Sequence, residues 1–197
     1  MQLGRPDPQS VFLNVPYDPS YERIFVALVA TLISLGRMPH CVLEISETGQ
    51  GRMPRIMSSL SSCEVSIHDL SKVGRPARFN MPFELGIAYT LHYATGKHKF
   101  IIMEKKKHRL DITLSDLKCH DPRIHEGNPL LAISAIYEVL GRPTGNPSIR
   151  IPEGIFRRLW SDIQTIRHRS PTIFNRRSFN ELIAGATYLA RKAGVIR

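Results

Sequence analysis

Short apolar runs alternate along the chain with longer stretches in which apolar residues return every three or four positions. The first run, Val11-Phe-Leu-Asn-Val15, follows a proline-rich start and closes at Pro16; its length and boundaries predict a buried strand. Asp18-Pro19-Ser20 then offers turn and cap chemistry for a helix from about Tyr21 to Gly36, with Ile24, Leu28, Thr31 and Leu35 along one face. The alternation continues. Cys41 to Ile45 predicts a second strand, Arg55 to Ser62 a short helix, Glu64 to His68 a third strand, and Met81 to Thr95 a long helix that stops at Gly96. Lys99 to Met103 predicts a fourth strand, Leu114 to Leu117 a short helix, Cys119 to Ile124 a weak edge strand, and Pro129 to Leu140 a further helix.

Strands that are apolar throughout and separated by helices imply a parallel sheet covered on both faces. The fold class expected is therefore α/β: a flavodoxin-like sheet of about five strands with helices on both faces, occupying residues 1–141. Residues 142–197 read differently. Gly141 to Pro152 is rich in proline and glycine, and two amphipathic helices follow, Gly154 to Arg167 and Ser178 to Ala193. Their stripes, Ile155, Leu159, Ile163 and Ile166 in one and Phe179, Leu182, Ile183, Ala186 and Leu189 in the other, call for a surface to pack on.

Charge sharpens that division. The tail from residue 142 holds 11 Lys+Arg against 3 Asp+Glu, while the whole chain holds 27 against 17. A basic helical extension of this kind attracts an acidic protein or a nucleic acid. No apolar stretch is long enough for a membrane span and the first ten residues lack a secretory core, so the expectation is a cytoplasmic protein that does not engage a membrane. Cys41, Cys63 and Cys119 are too widely spaced for a disulfide framework or zinc ribbon, and His120 and His125 near Cys119 do not complete a metal set. No metal and no cofactor are expected.

In an open parallel sheet, ligands bind beyond the carboxyl ends of the strands where strand order reverses, here between the first and third strands. The loops emerging there are Asn14 to Ser20 and Asp69 to Asn80. Asp69 directly follows the third strand, where it can bond a ribose hydroxyl or a base edge, or simply cap its own loop. Glu84 is placed in the first turn of the long helix, where free N–H groups and the dipole favour an ionised carboxylate, suited to a nucleophile or merely to a cap. Arg52, Arg75 and Arg78 flank the crevice and have the geometry for phosphate. His68 is expected to point to the side opposite Asp69 and to be packed. Lys105 to Arg109 reads as a solvated loop, and Gly49-Gln50-Gly51 lacks the Lys-Ser/Thr of a phosphate-binding P-loop.

The runs Cys63-Glu-Val-Ser-Ile-His-Asp-Leu-Ser71, Asn80-Met-Pro-Phe-Glu-Leu-Gly-Ile-Ala-Tyr89 and Lys99-Phe-Ile-Ile-Met103 resemble the central half of the nucleoside 2-deoxyribosyltransferase-like superfamily, related to TIR-type NAD hydrolases. The resemblance covers roughly residues 10–141. It implies that Glu84 is the nucleophile at the anomeric carbon, that Asp69 orients the nucleoside, and that Asn14, Tyr17, Asp18 and Asn80 contact substrate, with Tyr17 stacking on a base. It also implies a homo-oligomer. The loop before the glutamate reads Arg75-Pro-Ala-Arg-Phe-Asn80 rather than the family's Asp with Gly or Ser, and the guanidinium groups of Arg52, Arg75 and Arg78 suit a phosphorylated nucleotide or NAD-like substrate better than a bare nucleoside. The function expected is cleavage or transfer at an N-glycosidic bond of a nucleotide, nucleoside or NAD, as in a nucleotide-depleting effector. The alternatives are a catalytically silent nucleotide-sensing module and a basic nucleic-acid-binding protein.

Overall fold

A computed structural model describes residues 5–44, 51–72, 79–117, 119–141, 145–167 and 172–196. Its strands are β1 (Asp7–Asn14), β2 (Met38–Cys41), β3 (Cys63–Asp69), β4 (Lys99–Glu104) and β5 (Arg123–Ile124). They form one five-stranded sheet in the order β2-β1-β3-β4-β5. The pairs β1/β3, β3/β4 and β4/β5 are parallel, with Asn14 opposite His68, Asp69 opposite Met103 and Glu104 opposite Ile124. The helices are α1 (Glu22–Ser34), α2 (Arg52–Ser62), α3 (Asn80–Thr95), α4 (Arg109–Thr113), α5 (Pro129–Leu140), α6 (Arg150–Arg167) and α7 (Arg176–Lys192). This is the flavodoxin-like α/β arrangement with a C-terminal helical extension.

The chain divides into two compact units that are not consecutive in sequence: residues 1–16 with 40–126, and residues 17–39 with 127–197. In the first unit, α2 and α3 pack on β1, β3 and β4. Phe12, Ile56, Leu60, Cys63 and Ala88 meet in one apolar cluster, and Leu70, Met81, Leu85, Ile102 and Leu110 in another. Each such large side chain contributes roughly 1.5–3 kcal/mol on burial. Gly96 ends α3 in the left-handed conformation, φ 62°, as its position in the sequence predicted.

Two strands differ from expectation. The second strand is Met38–Cys41, not 41–45, because the Glu44 carboxylate accepts the Cys41 N–H at 3.0 Å and a 3-10 turn over Val42–Glu44 follows. The expected edge strand shrinks to Arg123–Ile124. The expected short helix at 114–117 is instead α4 followed by a 3-10 turn at Ser115–Leu117.

In the second unit, α1 packs against α5, α6 and α7. The single-face pattern expected for α1 is too narrow: every residue from Glu22 to Ser34 is buried except Arg23, as a helix apolar on all sides requires. Arg23 instead lies over the Trp160 ring at 5.6 Å. The tail helices bury Ile155, Phe156, Leu159 and Ile163 from α6 and Phe179, Leu182, Ala186 and Ala190 from α7. Ile183 and Leu189 of the expected stripe are half-buried. Gly185 permits the close approach of the two helices, since a Cβ there would lie 2.9 Å from the Leu159 side chain. Among the described residues, no helix is long and apolar enough to cross a membrane.

Candidate functional site

At the carboxyl end of the sheet, β1 delivers Asn14 and β3 delivers His68 side by side. Both side chains are buried, and so are Ser66 and His98 behind them. One hydrogen-bonded series joins all four. His98 Nδ1 donates to the Cys63 carbonyl at 2.9 Å, which leaves His98 Nε2 to accept from the Ser66 hydroxyl at 2.8 Å. Ser66 Oγ in turn accepts from His68 Nε2 at 2.8 Å, and His68 Nδ1 accepts from Asn14 Nδ2 at 3.0 Å. The second Asn14 N–H donates to the Met81 carbonyl in the first turn of α3, 3.2 Å away. The carbonyl at each end fixes the direction of every proton between them, and both imidazoles are neutral. Burial, with His98 nearby, pushes His68 down to about 3, and burial likewise lowers His98.

Glu84 lies one turn beyond Met81 on α3. The helix begins at Asn80 and has no acidic residue in its first turn, so the expected first-turn placement is corrected. The free amino-terminal N–H groups therefore do not stabilise a carboxylate at Glu84. Instead the side chain is 7% exposed, and burial raises its pKa from 4.5 to about 7, with Arg52 at the start of α2 pulling modestly downward. A carboxyl in this position is divided between its two protonation states near neutral pH.

Asp69 takes a different course. Strand alternation sends it to the face opposite His68, as expected, and its carboxylate is fully buried. Asp69 Oδ1 accepts the Ser71 N–H at 2.9 Å and Oδ2 pairs with His125 Nε2 at 3.0 Å. Ser71 Oγ also lies 2.8 Å from His125 Nε2. Serine, histidine and aspartate are thus together without forming a catalytic triad. The same ring nitrogen faces both partners, whereas a triad uses one nitrogen for the acid and the other for the hydroxyl. Next to them, Glu104 at the end of β4 is 1% exposed. Its Oε1 accepts from the Lys105 N–H at 2.7 Å and from Arg109 Nη1 at 3.1 Å, and Arg109 also donates to the Ser71 carbonyl at 2.6 Å. Burial raises the Glu104 pKa despite those two donors.

The structure therefore brings Asn14, Glu84 and Arg52 to the α3 side of the sheet and commits Asp69 to the Ser71–His125–Glu104 corner. Asn80 is exposed at the start of α3, and Arg75 and Arg78 lie outside the described residues. Tyr17 and Asp18 belong to the second unit. Tyr17 packs edge-on against Phe25 and Phe174, with ring centroids 6.5 and 5.4 Å apart, and Asp18 Oδ1 accepts from the Ser20 N–H and hydroxyl. Arg109, expected in a solvated loop, is a bridging residue. Glu104 and the Ser66–His98 link escaped the sequence reading altogether. The only available signals were polar residues inside otherwise apolar strands, at Ser66, His68 and Glu104.

Two hollows lie at the opposite, amino end of the strands. One, of about 320 Å³, is lined by Pro6, Ser61, Leu91 and His98 among others; the second, of about 590 Å³, includes Arg5, Glu64, Lys97 and Lys99. The carboxyl terminus of α3 ends there at Gly96. Its negative dipole end favours a cation such as Lys97 there, and Lys99 Nζ lies 3.9 Å from the Glu64 carboxylate. Among the described residues, no group of three or more His, Cys, Asp or Glu side chains is arranged to hold a metal. Cys63 is no nucleophile, since burial pushes its thiol up to about 12. Comparisons of the chain with family models, with curated proteins and with solved structures find no match.

Proposed function

We propose that the protein cleaves or transfers at an N-glycosidic bond of a ribosyl compound, a nucleotide, nucleoside or NAD, with Glu84 as the nucleophile. The observation that carries this reading is the buried Glu84 carboxyl, raised to about 7, on the helix to which Asn14 is anchored. Ionised Glu84 attacks the anomeric carbon, the carbon–nitrogen bond breaks, and its electron pair leaves with the base. Water or a second base then displaces Glu84. Water gives the free sugar and returns a proton to solvent. Arg52 holds the carboxylate form and offers its guanidinium to a phosphate on the substrate. Asp69 supports the strand ends through His125 and Ser71 rather than touching the sugar.

Incubation with NAD, nucleoside monophosphates and deoxynucleosides, followed by chromatography of released bases, tests the reading. Base release is expected from a phosphorylated substrate, rising with pH through about 7 as Glu84 ionises. Glu84→Gln should abolish it with the fold intact. Wild-type turnover in that variant sinks the assignment. A second reading, a ligand-binding module without turnover, draws on the commitment of the Asp69 carboxylate to His125 and Ser71. Binding without base release would select it.

A further inference from the structure

Asn14 has the geometry of a prepared acceptor. Both protons of its carboxamide are spent, one on the Met81 carbonyl and one on His68 Nδ1. Among the described residues, nothing donates to its Oδ1. An Asn side chain on a loop would swing its amide to suit whatever came near. This one cannot, because turning it over would set an oxygen against the Met81 carbonyl and against the lone pair of His68 Nδ1. That lone pair exists only in one tautomer, with the proton on Nε2. Ser66 selects that tautomer by accepting the Nε2 proton, and Ser66 can accept because its own proton is committed to His98, whose Nδ1 is committed to the Cys63 carbonyl. Three buried side chains, Ser66 and His68 on β3 and His98 just before β4, thus specify the orientation of one carboxamide at the carboxyl end of the sheet, where ligands of parallel α/β folds bind.

We propose that Ser66, His68 and His98 are positioning residues that hold Asn14 with Oδ1 as a fixed acceptor for one ring hydroxyl of a ribosyl ligand. The inference rests on the reading of the site as a ribosyl site and adds which group recognises the sugar. It also assigns the function of a row of polar side chains that an apolar strand would otherwise exclude. A hydroxyl, unlike a carbonyl or phosphate oxygen, has the proton that Oδ1 lacks. A pre-oriented acceptor gains selectivity because no reorganisation accompanies binding.

The test pairs deletions on the protein with deletions on the ligand. Binding of AMP, 2′-deoxy-AMP and 3′-deoxy-AMP is measured by calorimetry for the wild type, Ser66→Ala and Ser66→Thr, with base release followed in parallel. One deoxy compound should bind the wild type about tenfold more weakly than AMP, the scale of one neutral hydrogen bond in a prepared site. Ser66→Ala should erase that preference, and Ser66→Thr, which keeps the hydroxyl, should restore it. In nitrogen-detected NMR the His68 ring should be the Nε2–H tautomer in the wild type and in Ser66→Thr, and lose that bias in Ser66→Ala. A merely structural role would weaken all three ligands alike, and that result overturns the proposal. Should Ser66→Ala fail to fold, equal wild-type affinity for AMP and both deoxy compounds overturns it unaided. Ligand binding with this preference but no base release would sink the glycosidic reading and leave the acceptor assignment standing; failure of all three to bind overturns the acceptor assignment, and base release from NAD or nucleosides still decides the glycosidic reading.

Discussion

A single carboxyl group, Glu84, sets the protein's stability against its chemistry. Its folded-state pKa lies near 7 where the unfolded chain has 4.5. As pH climbs through that interval the unfolded state ionises first, so the folded state loses stability from about 4.5 to about 7 and stays level above. Glu84→Gln removes the effect. The variant should therefore gain on the wild type by about 2–3 kcal/mol between pH 5 and pH 8, since each tenfold change in a proton-binding constant is worth about 1.36 kcal/mol. Urea unfolding at the two pH values measures the gap. A constant difference between variant and wild type would mean that Glu84 titrates normally and is not held in a poorly hydrated site. At this same scale, sequence reasoning located the residue and misjudged its surroundings. Pattern and spacing mark a glutamate early in a helix. Only the packed neighbours decide whether it stands in the first turn with free N–H groups or one turn further in, without them.

Strand β3 shows what an element adds. Its apolar character was legible from Val65 and Ile67, and so was its crossover to α3. The role of Ser66 and His68 was not, because it depends on what lies across the sheet: Asn14 from β1 and His98 from just before β4 are 54 and 32 residues away in the chain. The buried neutral His68, pushed down to about 3 from 6.5, has a sign opposite to that of Glu84. Its contribution is complete above about 6.5 and is lost as pH falls, because the unfolded chain takes the proton first. His68→Gln should cost stability at pH 7, and that cost should shrink by about 2 kcal/mol by pH 4.5. Thermal unfolding of the pair across that range checks it, and a cost that grows on acidification would contradict a neutral buried ring. The two titrations oppose one another between pH 4.5 and 6.5, so the wild-type profile alone is flatter than either variant reveals.

For the whole molecule, the order of elements and the class of sheet were readable because hydrophobic periodicity and proline–glycine boundaries report local structure directly. The grouping of segments was not. The tail's stripes announced that α6 and α7 require a partner, and the partner is α1, more than a hundred residues earlier. No local pattern encodes that choice. Removing residues 150–197 should leave the apolar faces of α1 and α5 without α6 and α7, giving aggregated protein rather than a trimmed soluble one. Size-exclusion chromatography with light scattering of the truncated chain decides the matter. Recovery of a monodisperse protein with wild-type melting temperature would show that α1 does not need the tail.

The same pairing has a consequence for biosynthesis. Helix α1 leaves the ribosome as one of the most apolar segments of the chain, and α6 and α7 emerge only after everything between them has been translated. At roughly 5–20 residues per second that interval lasts on the order of ten seconds. During it, α1 can be sequestered by a chaperone or by the α1 of another nascent chain. Slowing translation beyond Gly127 would lengthen the exposure, and the yield of native protein would depend on how quickly the codons from Gly127 through α7 are read.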